Sequence, residues 1–322
     1  MKKNILPIFF VGLFLLFCTA PTKAQKSQRP VLVKLPFAFE RGVREPMENT
    51  PVVFNSHLLL VANYRPSGGS KVDEKNSYLY IDDLRTGEEI TRFGLAHSFV
   101  SAYVNNSELN VFALDFSESG KVWQSSGIDR FVTSDLKNWK TEKVILPEGD
   151  EHLFNSSVCR DDKGFLMAYE SNKPVQWCFK FARSNDLSKW EKIPGLVFTG
   201  VNHEFSACPA IRYFKPYYYV IYCHDQEKGH NGYTSYLARS KNLINWELSP
   251  YSPILEAGED EGINNSDADI IEYEGRTYIY YATGDQRTWS TIRVAMYNGL
   301  MKTFFEDNFP KGVTFTKFST QQ

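Results

Sequence analysis

The sequence predicts an all-β chain folded as a five-bladed β-propeller. Two independent repeats and a run of short strands carry that expectation. The first repeat is Ser134-Asp135-Leu136-Lys137-Asn138-Trp139, which returns as Ser184-Asn185-Asp186-Leu187-Ser188-Lys189-Trp190 and as Ser240-Lys241-Asn242-Leu243-Ile244-Asn245-Trp246. Its tryptophans are 51 and 56 residues apart. Degenerate copies stand at Asp82-Asp83-Leu84 and at Asn298-Gly299-Leu300 with Phe304. The second repeat runs out of phase with the first: His97-Ser98-Phe99, His152-Leu153-Phe154 and His203-Glu204-Phe205, spaced 55 and 51. Two patterns with one period mark a repeat architecture.

Between the markers the chain reads as strands. Residues 58–62, 111–116, 164–169, 217–223 and 277–282 are short runs rich in aromatic and β-branched side chains. Turn residues precede most of them, as in Asn105-Asn106-Ser107, Asp161-Asp162-Lys163-Gly164 and Glu274-Gly275. No segment sustains a helical period. The units begin near Glu48, His97, His152, His203 and Asn264. A spacing of about 50 residues holds one four-stranded blade with its loops. One blade cannot bury both of its faces; five set radially can, and closing the ring protects the strand edges. Residues 31–36 and 313–318 read as further strands that supply this closure. The Asp-Leu-x-x-Trp segment reads as a turn whose Leu and Trp plug the gap between blades.

Before the first unit, residues 1–24 read as a secretory signal. Lys2 and Lys3 precede an apolar run from Ile5 to Phe17, and Thr22-Lys23-Ala24 forms an A-x-A-like cleavage site. Phe17 before Cys18 is too bulky for a lipoprotein signal, and the apolar run is too short to span a bilayer. The expectation is a secreted or periplasmic protein with one domain over residues 25–322. The whole chain carries 36 Lys and Arg against 38 Asp and Glu, and loss of the signal makes the remainder mildly acidic. With no basic run, it lacks the electrostatic footprint of a nucleic-acid binder. No other stretch is apolar enough for a membrane span. Nothing in the sequence sets an oligomeric state. Four cysteines follow the signal; Cys208 with Cys223 and Cys159 with Cys178 are placed to face each other across hairpins, or to remain buried thiols.

Ser-x-Asp-Leu-x-x-Trp closing successive units, in an exported β chain of five repeats, resembles the five-bladed propeller glycoside hydrolases. These comprise the family 43 arabinanase and xylosidase group and the related invertase-like and neoagarooligosaccharide-hydrolase families. The resemblance covers essentially all of the chain after the signal. It implies a glycosidase acting on poly- or oligosaccharides, without an obligatory cofactor. It also implies a site at the mouth of the central funnel, built from inner-strand starts and second-strand ends. Arabinanase-like relatives place Asp before Pro in the first blade, an Asp in the third and Glu-Gly-Pro in the fourth. Here Thr50-Pro51, Asn155-Ser156-Ser157 and Ala207-Cys208-Pro209 stand instead. A glycan-binding propeller without catalysis is therefore the rival reading, and a polysaccharide lyase with a His or Tyr base the third.

Glycoside cleavage needs one carboxyl group to protonate the leaving oxygen and another to activate water or attack. On that requirement the catalytic candidates are Asp267, Glu204, His203 and Glu48. Asp267, flanked by Asn265 and Ser266, reads as base or transition-state stabiliser; Glu204, or His203 beside it, reads as proton donor. The candidates for holding sugar are Asp269, His97, His152, Asn155, Glu170, Asp225, Asp285, Arg287 and Trp289. Trp289 offers an indole to a sugar face, and Arg287 a fork for a carboxylate or paired hydroxyls. No metal ligand is assigned. A central ion would require the three repeated histidines to stand at one height around the axis.

Overall fold

The computed structural model describes residues 29–36, 47–65, 74–121, 124–203, 205–225, 232–285 and 288–320. The expected signal at 1–24, Glu204 and Arg287 lie outside the described residues. Five antiparallel sheets account for nearly all the structure. Blade one is Asn49–Phe54, His57–Tyr64, Tyr78–Asp83 and Glu89–Phe93. Blade two is His97–Asn105, Glu108–Asp115, Ile128–Thr133 and Lys140–Ile145. Blade three is Leu153–Asp161, Gly164–Ser171, Cys178–Ser184 and Glu191–Phe198. Blade four is Ala207–Phe214, Tyr217–Asp225, Tyr233–Ser240 and Asn245–Leu248, and blade five contributes Ser266–Tyr273, Arg276–Gly284 and Ser290–Tyr297. Each inner strand touches the next, and the fifth touches the first, which closes the ring. Among the described residues no helix is long and apolar enough to cross a membrane.

Of the two extra strands, the first forms within its expected span as Val33–Leu35 and the second forms later than expected, as Lys317–Ser319, with 313–316 outside any strand, and the two do different work. Val33–Leu35 pairs with Val294–Met296 and becomes the outer strand of blade five, so the start of the chain completes the last blade. Lys317–Ser319 instead pairs with Asn245–Glu247 and gives blade four a fifth strand. The helix Met301–Asp307 is the physical reason. Its Phe304 and Phe305, both fully buried, pack with Tyr219 and Ile279 and steer the chain back to blade four.

The repeated Asp-Leu-x-x-Trp segment is the turn between the third and fourth strands. In blade three Ser184 Oγ accepts the Leu187 N–H at 2.9 Å, and Asp186 Oδ1 accepts those of Ser188 and Lys189 at 2.9 Å each. Blade four repeats this with Ser240 and Asn242. These bonds hold a leucine at positive φ (61°, 67° and 64° at Leu136, Leu187 and Leu243), where a bulky side chain rarely sits. The tryptophan then packs on an aromatic of the preceding blade. Trp139 stacks on Phe93 at 3.8 Å, Trp190 meets Phe112 edge-on, and Trp246 meets Phe198 edge-on at 4.8 Å.

The inner strands of blades three to five break register just after their first pair, between Leu153 and Ser156, Ala207 and Ala210, and Ser266 and Asp269, and that of blade two after its second, between Ser98 and Ser101. Blade one pairs without a break from Asn49 to Phe54. A bulge re-aims the side chain that it carries. Phe99, Cys208 and Asp267, at equivalent places in this register, have φ of 58°, 53° and 51°.

Candidate active site

The axis between the inner strands holds a cavity of about 20 Å³, room for about one water. All five blades line it, with Glu48 and Thr50 from blade one, Ser101 from two, Asn155 from three, Cys208 from four and Asp267 from five. The sequence-level candidates Glu48, Asn155 and Asp267 thus come together at one point. Asp269 lies on the same wall, but Arg212 donates to its Oδ1 at 2.5 Å and to Ile270 O at 2.8 Å. Its charge is spent clamping blades four and five together.

Glu48 is almost fully buried. Asn63 Nδ2 donates to its Oε2 at 3.0 Å and Arg65 Nη1 to its Oε1 at 3.2 Å. The other side of the guanidinium forks onto Glu74 Oε1 at 2.9 and 3.0 Å, and Ser98 Oγ donates to Glu74 Oε2 at 2.9 Å. Arg65 also lies 4.7 Å above the Phe99 ring. Burial pushes the Glu48 carboxyl up, Arg65 pulls against it, and the Asp267 charge adds to the rise. Asp267 is likewise raised by burial, against the Ser266 hydroxyl at 2.6 Å, the Cys208 thiol and the charge of Arg65. Burial and the like charge favour one proton on this pair of carboxyl groups.

Glu170 sits behind this wall. Its Oε2 accepts the Cys208 N–H at 2.9 Å and Asn155 Nδ2 at 3.1 Å. Burial outweighs both bonds, the Asp267 and Glu48 charges add to it, and the carboxyl is pushed up to about 8. The Cys208 and Cys223 thiols share a hydrogen bond, and this contact with burial holds Cys208 as a thiol, well above its ordinary range. Cys223 Sγ in turn accepts the Asp267 N–H at 3.3 Å. All four described cysteines are free thiols, and Cys159 and Cys178 stand opposite Leu166 and Ser171 rather than each other.

The three histidines do not share a height. In the strand register, His97 and His152 correspond to Ser206 of blade four, because each immediately precedes the last pair before its bulge. His203 lies in the 3-10 turn Val201–His203, three residues earlier, exposed and with Nδ1 2.5 Å from Thr199 Oγ1. The axial ring of imidazoles therefore does not form. His152 is held at its backbone by Asn172 Oδ1, and His97 turns to two aspartates of its own blade. Asp225 ends the second strand of blade four, half-buried. Asp285 accepts the N–H groups of Thr288 and Trp289, which shapes the loop that leaves Trp289 39% exposed on the rim.

Arg65, Asn63, Glu74 and the role of Cys208 escape the sequence reading. Arg65 directly follows the second strand of blade one, so the second-strand rule applied there would have found it. Glu74 gives no sequence signal, since only the folded chain lays its 3-10 turn (Glu74–Asn76) beside Ser98.

No protein-family profile matches the chain, and no curated protein matches it either. Solved structures do. BT0996, in a complex with RGII, is 12% identical over 84% of this chain and 92% of its own, with a TM-score of 0.67. The catalytic domain of the Coprinopsis cinerea GH62 α-L-arabinofuranosidase is 9% identical over 84% and 97%, with a TM-score of 0.61. The β-1,2-mannobiose phosphorylase of Listeria innocua, in complex with β-1,2-mannobiose, is 13% identical over 86% and 96%, with a TM-score of 0.60. At such identities the likeness is one of fold. The chain has the five-bladed propeller fold that glycoside hydrolases also use.

Proposed function

We propose that the chain is an exported glycoside hydrolase acting on poly- or oligosaccharides at the axial cavity, with Glu48 and Asp267 as its acid–base pair. The observation that carries this reading is the convergence of two buried, mutually repelling carboxylates from blades one and five on one small cavity. Burial raises Asp267, but the Ser266 hydroxyl and the Cys208 thiol act against that rise, and on this support we assign it the ionised role of the pair, as base or transition-state stabiliser. Its charge pushes Glu48 towards the protonated form, which can donate to a leaving oxygen. The cavity has space for about one water beside them, with the sugar ring seated above. The fold shared with glycosidases and a disaccharide phosphorylase supports a carbohydrate substrate.

A glycan-binding propeller without catalysis is the second reading, favoured by Thr50, Asn155 and Ala207, where arabinanase-like relatives carry carboxylates. Incubating the secreted protein with a plant and algal glycan panel separates the readings. New reducing ends support hydrolysis, unsaturated products indicate a lyase, and retention of a glycan without cleavage indicates a binding module. The same preparation, sequenced from its amino terminus, should begin at Gln25; an intact Met1 would contradict export by signal cleavage.

A further inference from the structure

We infer that the rim end of blade two is a divalent-cation site whose ligands are His97, Asp115 and Asp129. His97 opens the inner strand, Asp115 ends the second strand directly opposite it, and Asp129 stands near the start of the third. One ligand atom from each lies within 4.8 Å of the others, and each residue is at least nine-tenths buried.

The hydrogen bonding of the imidazole points to a ligand. Nδ1 lies 2.9 Å from Leu95 O, a carbonyl that can only accept, so Nδ1 carries a hydrogen. The neutral ring then presents the Nε2 lone pair to Asp129 Oδ2 at 3.1 Å and to Asp115 Oδ1 at 3.9 Å. Acceptors face acceptors there, an arrangement that a cation relieves. Among the described residues Asp129 Oδ1 is buried with no hydrogen-bond donor, and Lys143 Nζ lies 3.4 Å from it. Lys143 also lies 2.7 Å from Asp115 Oδ2 and sets one positive charge against two carboxylates.

A divalent ion balances both carboxylates and uses the Nε2 lone pair. Imidazole nitrogen with carboxylate oxygen suits Zn²⁺ better than the all-oxygen preference of Ca²⁺. Groups that orient ligands are in place: Leu95 O on Nδ1, with Ser126 Oγ at 2.6 Å and the Ser117 N–H at 2.9 Å on Asp115. Lys143, whose side chain is 31% exposed, has a path to water when the ion enters.

Lys143 is thus a built-in competitor, and this gives the site a distinctive test. The full protein, stripped with chelator, is titrated with Zn²⁺ in a calorimeter and melted with and without it. The expected result is one saturable ion per chain, a raised melting temperature, binding lost in His97→Ala, and binding about tenfold tighter in Lys143→Met. No 1:1 binding, or binding undiminished in His97→Ala, overturns the site, because it leaves a protonated imidazole as the cation between the carboxylates. Lys143→Met keeps the test decisive where His97→Ala fails to fold, since unchanged or weaker Zn²⁺ binding in that variant also overturns it. Neither readout depends on glycan cleavage, so the site and the hydrolase reading stand or fall separately.

Discussion

Arg65 carries more of the site than any other single residue. Among the described residues it is the one cation bonded to Glu48, and it shares its fork with the fully buried Glu74. Removing it leaves the buried Glu74 without its counter-charge and Glu48 without its guanidinium donor, so Arg65→Met should cost about 3–5 kcal/mol in urea unfolding. Adding Glu74→Gln should return part of that loss; a double variant no more stable than the single would show that the pair is not the source. Glu170 gives a prediction of opposite sign to the usual paired carboxylate. Its pKa is raised from an ordinary 4.5 to about 8, so the folded state keeps a proton that the unfolded chain releases. The stability tied to it is complete below about pH 4.5 and is lost as the pH rises through about 8. Glu170→Gln keeps an oxygen for Asn155 and Cys208, so it should match the wild type near pH 4.5 and exceed it near pH 8 by urea midpoint. A difference that does not change with pH would mean that Glu170 is not held protonated. Glu48 and Asp267 were legible because they stand at strand starts, whereas the clamping of Asp269 depends on Arg212, 57 residues away.

The turn and the bulge divide what the sequence displays from what it hides. The Ser-x-Asp-Leu-x-x-Trp turn is legible because its side chains bond its own backbone, and such local chemistry recurs wherever the residues do. The bulges are hidden because they arise where inner strands crowd the axis, and Phe99, Cys208 and Asp267 have no residue type in common. The misplacement of His203 has the same origin: a 51-residue spacing resembles the repeat, but the register of the strands sets the true period. Trp246, 1% exposed and donating from Nε1 to Leu243 O at 3.0 Å, is the best-buried of the turn tryptophans. Trp246→Ala should therefore cost about 3–5 kcal/mol, and the half-buried Trp139, whose Nε1 has no partner among the described residues, should cost less. Equal losses by chemical denaturation would refute this view of inter-blade packing.

At the scale of the molecule, the repeats foretell a ring of five blades, and the ring in turn dictates where a site forms. Inner-strand starts converge on one axis, so polar residues there meet whatever their separation in the chain. The closing strand was legible as a strand but its partner was not, because residues 33–35 find blade five only once the ring exists. The central claim is that the Glu48–Asp267 pair at this axis cleaves glycosidic bonds. The most direct test is turnover of the best-cleaved panel glycan by wild type, Asp267→Asn and Glu48→Gln, with a thermal melt of each. Asp267→Asn should lower turnover by about 10²–10⁴-fold and Glu48→Gln should also impair it, both melting close to wild type. Near-full turnover in Asp267→Asn, or a loss of turnover matched by a collapse in melting temperature, would contradict it.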